Sequence, residues 1–327
     1  MKPIVHLHHS NPEGRAKAPK TSMPSPGRRL RFAWTRIRSF GSQARHMLKN
    51  VGLPVDLRNE TDDPLEAYYR APKGGGFIIN LRLDRMRTFG PLGFSCAREG
   101  GSPFVRTLLA YQEGNCRTYG DSPLKRFYEA WQPANLAEAL LIDRSIADAR
   151  LLNLPPLPWL LPWSGGPDWD HLIANAKMQI ARRSQRLGSQ YALSRFSGPV
   201  SEAYGQLRFS NLIEVYNSIR TGGYNPVSQI RANLLVRNGE CRAMISDGNH
   251  RVAALAVVGW DSVPALVAGR KKEGPAVVWH GDSASWPAVR AGILTQEQAL
   301  EIFDRIFDAN TPAARLENPG TKNATCS

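Results

Sequence analysis

The sequence predicts a mixed α/β protein of the α+β kind, on three observations. Between about residues 50 and 150, apolar residues recur mostly at three- and four-residue steps, the period of a helix packed on one face. Beyond Gly198-Pro199-Val200 a helical period gives way to short alternating runs joined by Asn238-Gly239, a hairpin signal. Between one such run and an apolar helical one lies Ser246-Asp247-Gly248-Asn249-His250-Arg251, where a strand passes into a helix. Such a turn aims backbone N–H groups and the positive end of a helix dipole at one spot, which suits an anion and most often a phosphate.

Taken in order, residues 1–27 are rich in Pro, Lys, Ser and Gly and are expected to be a disordered basic tail. Over 28–50, Leu30, Ala33, Trp34, Ile37, Phe40, Ala44, Met47 and Leu48 form a stripe interleaved with arginines. This is the pattern of a basic amphipathic helix, open to docking on the body, to an anionic membrane surface or to nucleic-acid phosphates. Residues 51–152 read as a helix-rich mixed region. Gly74-Gly75-Gly76 precedes the apolar strand Phe77-Ile78-Ile79-Asn80-Leu81 and lacks the spacing of a phosphate loop, so it reads as a connector. Helices are expected after Ser102-Pro103, after Ser122-Pro123 with Leu124, Phe127, Tyr128 and Trp131 on one face, and across 136–152. Residues 153–168 carry prolines too closely spaced for regular structure and read as a linker whose Trp and Leu content packs.

The remainder, 169–310, is expected to be a second domain. It opens with a helix at 171–183, and a further helix carries Phe209, Leu212, Ile213, Tyr216 and Ile219 to a stop at Gly222-Gly223. Strands follow at 230–236 and 241–245, then the Asp247–Arg251 turn, a helix at 252–258 and a strand at 262–267. Thr295 and Gln298 form a capping box for a closing helix, and 311–327 is a polar tail.

The formal charge of +14 suggests nucleic acid until it is located: residues 1–50 hold a net +10, and the other 277 residues only +4. Cys96, Cys116, Cys241 and Cys326 show no metal-site spacing, and no apolar stretch reaches the length of a membrane span. The expected location is the cytoplasm, with a peripheral position at the inner face of the membrane, through 28–50, as the alternative.

Within the turn, Asp247 is expected to cap the helix, Gly248 to allow close backbone approach, and Asn249, His250 and Arg251 to supply donors. The order of Ser218-Ile219, Gly222-Gly223-Tyr224-x-Pro226, a hairpin strand, Asp247-Gly248-Asn249-His250-Arg251, an Ala-rich helix, Gly259 and Val263-Pro264 resembles the ParB/sulfiredoxin superfamily over about residues 205–270. The resemblance implies that Gly248, Asn249, His250 and Arg251 hold nucleotide phosphates of ATP, ADP or CTP. It makes Asp247 and His250 the candidates for catalysis, with Mg²⁺ held through Asp247. Sulfiredoxins place a cysteine between the Gly and the His of this turn; Asn249 stands there, so that thiol chemistry lacks its nucleophile. The Arg-Arg form of the partition proteins is replaced by His250-Arg251. The implied function is nucleotide-dependent phosphoryl transfer to a small hydroxylated substrate or glycan precursor. A DNA-binding or nuclease protein and a non-catalytic nucleotide switch are the alternatives. Glu214, Ser218, His280, Asp282 and Ser283 are secondary candidates.

Overall fold

A seven-stranded mixed sheet organises the described residues, which in this computed structural model are 54–310 apart from 73–74, 158–159, 166–168, 188–195, 227–228 and 270–273. The expected tail at 1–27, the basic helix at 28–50 and the tail at 311–327 lie outside them. In chain order the elements are β1 (Val55–Asp56), α1 (Pro64–Arg70), β2 (Phe77–Arg82), β3 (Met86–Arg87), α2 (Pro103–Gln112), α3 (Pro123–Ala130), α4 (Leu136–Ala139), α5 (Ala149–Leu152), α6 (Trp169–Leu187) and α7 (Glu202–Gly222). There follow β4 (Ile230–Arg237), β5 (Glu240–Asp247), α8 (Asn249–Val258), β6 (Ser262–Val267), β7 (Val277–Trp279), α9 (Pro287–Arg290) and α10 (Gln296–Asp308).

Helix starts follow their local chemistry. Asp63, Ser122 and Ser201 each accept a backbone N–H from the first turn, and Thr295 and Gln298 make the expected reciprocal capping box. The stretch 136–152, expected as one helix, is instead two single turns. Leu141 takes φ +60°, the Asp143 carboxylate accepts from the backbone and hydroxyl of Ser145, and Asp148 caps α5. Short polar side chains that bind their own backbone compete with the helical ladder, and here they win.

The sheet order is β1-β2-β6-β4-β5-β3. β4 is its centre: one edge pairs antiparallel with β5, while the other pairs in parallel with β6 at Ile230–Ala232 and with β7 at Leu234–Val236. The β4–β5 hairpin turns at Asn238 and Gly239, both at positive φ, as an Asn-Gly turn requires. Strand alternation divides the core in two. Ile230, Ala232, Leu234, Ala243, Ile245, Val263 and Ala265 face one cluster with residues of α2, α7 and α8. Leu235, Met244 and Val278 face the other, with Trp163, Trp169, Trp286, Phe303 and Phe307.

Strands from 51–152 and from 169–310 therefore share one sheet, and the described residues form one compact unit. The proline-rich segment lies within that unit, with Leu154, Leu157, Leu160, Leu161 and Trp163 buried in the second cluster. Arg87, buried at the end of β3, donates to the carbonyls of Asp84, Ile306 and Phe307, tying that edge of the sheet to the last turn of α10. No helix among the described residues is long and apolar enough to cross a membrane.

Candidate functional site

The turn is built where β5 ends. Asp247 remains in the ladder opposite Arg231, beside a register shift at Arg231/Ala232, so it finishes the strand and does not cap the helix. The cap position falls to Gly248, at φ +105° with no side-chain cap bond. Sterics require glycine here: a Cβ would stand 3.1 Å from Ile230 Cγ1 and 3.1 Å from the Arg251 guanidinium, on a backbone that L residues avoid. The ladder of α8 begins with Val252 N–H donating to Gly248 C=O at 2.9 Å. The N–H groups of Asn249, His250 and Arg251 precede it and project from the positive end of the helix.

The side chains divide between the surface and the interior. Arg251 Nη2 lies 3.6 Å from Asp247 Oδ2, with the Asp247 side chain 61% exposed and that of Arg251 17% exposed. A contact that long is weak. Asn249 Oδ1 accepts from Phe89 N–H at 3.3 Å, anchoring the turn to the loop after β3. His250 Nε2 is 2.7 Å from Arg208 Nη2 on α7. Arginine only donates, so Nε2 is the acceptor and the imidazole proton sits on Nδ1. The His250 ring meets Phe104 edge-on at 5.0 Å, and the Arg208 guanidinium lies 5.9 Å from the centre of the Phe104 ring.

Arg208 is the residue that reading the sequence left out. Its Nε is buried with no hydrogen-bond acceptor among the described residues. It also stands beside Tyr128: burial pushes that phenol above its ordinary range, and the neighbouring guanidinium opposes the shift. Tyr224 behaves alike, raised by burial and opposed by Arg251. The signal for Arg208 was spacing, since it falls in the same four-residue row as Tyr204 and Leu212, both buried in the core. A cation in an apolar row needs a reason.

The secondary candidates lie apart. Glu214 and Ser218 are exposed on α7. His280 pairs with Asp304 at 3.6 Å and packs on Phe303, and Ser283 accepts from Gln296 at 2.9 Å, so both belong to the packing of α10, while Asp282 is exposed. Burial pushes the Cys96 and Cys241 thiols up to about 12 and that of Cys116 up to about 11, so these cysteines stay protonated and are poor nucleophiles.

No three His, Cys, Asp or Glu side chains converge on a cation site among the described residues. A single exposed carboxylate, Asp247, does fit the way Mg²⁺ is usually held against phosphates, by one or two carboxylates with the phosphate oxygens and water completing the shell. The arrangement brings together a helix N-terminus without a side-chain cap, two arginines and an imidazole whose Nδ1 carries the proton. No protein-family model, no curated protein and no solved structure matches the chain.

Proposed function

We propose that the Asp247–Arg251 turn binds the phosphate groups of a nucleotide and serves phosphoryl transfer to a small hydroxylated acceptor or glycan precursor. The observation that carries this reading is the start of α8 at a left-handed glycine with no side-chain cap, flanked by Arg251 and by the Arg208–His250 pair. Backbone donors and the helix dipole receive the charge, and Arg251 neutralises it. Arg208 holds the His250 ring in one tautomer, with the proton on Nδ1. Asp247, exposed at the rim, accepts the proton of an attacking hydroxyl or, with Mg²⁺ bound, holds the ion that bridges phosphate oxygens. The order of elements that resembles the ParB/sulfiredoxin superfamily supports the same ligand class.

The DNA-binding alternative has less support. In α10 the acidic residues Glu297, Glu301, Asp304 and Asp308 outnumber Arg305, which is buried and donates to the carbonyl of Leu140. A helix that reads DNA presents the opposite charge to phosphates.

Titration of the full chain with ATP, ADP and CTP in Mg²⁺ tests the proposal. Arg251→Ala is expected to weaken the preferred nucleotide roughly tenfold or more, the cost of one charge-assisted phosphate contact. Arg208→Ala and His250→Ala are expected to weaken it by similar factors and, in the double variant, by less than the product, because the two act as a pair. Binding without phosphate transfer would assign the switch; absence of binding to folded protein would remove both nucleotide readings.

A further inference from the structure

A cavity separate from the turn lies against β2, β4 and β5, and none of the residues Asp247 to Arg251 lines it. Its lining includes Leu81, Leu234, Cys241 and Ala243, all members of the first apolar cluster. Burial pushes the Cys241 thiol up to about 12, so it stays neutral and adds to an apolar floor. The cavity holds about 290 Å³, roughly twice the ~150 Å³ that suffices for benzene and at the small end of ligand pockets.

Charged residues surround this floor, and two of them are already engaged. Arg82 pairs with Asp84 at 2.9 Å, with Asp261 farther off. Arg242 pairs with Glu240 at 3.1 Å and lies 4.7 Å from the centre of the Phe307 ring, in the other cluster. Three are not engaged. Asp62 before α1, Arg85 between β2 and β3, and Asp261 before β6 are exposed, and their side chains make no ion pair or hydrogen bond among the described residues. The Arg85 charge is felt at the Cys241 thiol, which brings its guanidinium near the floor. Carboxylates and a guanidinium that line one cavity without meeting leave a space that a ligand of both signs can bridge.

We infer that this cavity takes a small zwitterion with a compact apolar body, an aliphatic amino acid. Its carboxylate pairs with Arg85, its ammonium is held by Asp62 and Asp261, and its side chain covers the floor. A simple anion would meet two carboxylates and a simple cation would meet Arg85, so each single charge is opposed by a like one. The inference stands apart from the phosphate reading of the turn, because its evidence is the walls of this cavity.

Ligand-observed NMR on the full chain tests it with leucine, isocaproate, isoamylamine and glycine. Leucine is expected to bind saturably. Isocaproate, which lacks the ammonium, and isoamylamine, which lacks the carboxylate, are each expected to bind roughly fivefold or more weakly, the factor of one charged hydrogen bond. Glycine keeps both charges without the side chain and is expected to bind roughly tenfold or more weakly, the factor of a buried aliphatic group. Arg85→Gln is expected to bring leucine down to the level of isoamylamine, and Asp62→Asn/Asp261→Asn down to that of isocaproate. All three positions are exposed and outside the core clusters, so these variants keep the fold. No saturable binding of leucine, an analogue that binds as tightly as leucine, or unchanged leucine binding in either variant overturns the inference.

Discussion

Gly248 sets the direction in which α8 leaves the sheet, and with it the aim of the helix N-terminus. Gly248→Ala forces a Cβ onto a φ of +105° and against Ile230. The expected cost is about 1–3 kcal/mol of stability, read from urea unfolding, together with weakened nucleotide binding. A neutral result would mean that the left-handed backbone is not required there. The five residues of the turn stood out because they are contiguous and chemically dense, and the structure places them where β5 passes into α8. Arg208 did not stand out, because it lies 42 residues from His250 and its partner is decided by how α7 packs on α8.

At the scale of elements, strands and capped helices were readable from period and end signals, and α10 carries the capping box the sequence announces. The stretch 136–152 misled because its apolar spacing is helical while Asp143 and Asp148 bind their own backbone, a local competition that a count of apolar positions does not see. The tie between β3 and α10 was also hidden, since Arg87 donates to carbonyls 219 and 220 residues away. Arg87→Met keeps bulk but removes the donor of the Phe307 carbonyl and leaves the Ile306 carbonyl only the Ala309 N–H. Its expected cost is about 2–4 kcal/mol, with faster hydrogen exchange in the last turn of α10. Unchanged protection there would show that the tie is dispensable.

For the whole molecule, the proline-rich stretch at 153–168 looked like a boundary because prolines exclude regular structure, but irregular chain can still fill a core, and Trp163 does. Both faces of one sheet must then unfold together. Denaturation followed by the fluorescence of the eight tryptophans, which include Trp163, Trp169 and Trp286 of the second cluster and Trp279 against the first, is expected to coincide with loss of secondary structure by circular dichroism. Two separated transitions would restore a two-domain description. The charge distribution also belongs to this scale: the net +10 of residues 1–50 leaves the remaining 277 residues close to balance, so most of the sequence's basicity lies outside the segment that holds the turn. The central claim is that the turn takes nucleotide phosphate, and thermal unfolding of the full chain with ATP, ADP and CTP, with and without Mg²⁺, tests it most directly. At a hundredfold excess over Kd a bound nucleotide adds about 2.7 kcal/mol, so the account predicts a rise in Tm of roughly 5 °C or more that Arg251→Ala abolishes. No rise with any nucleotide, or a rise that Arg251→Ala leaves intact, would contradict it.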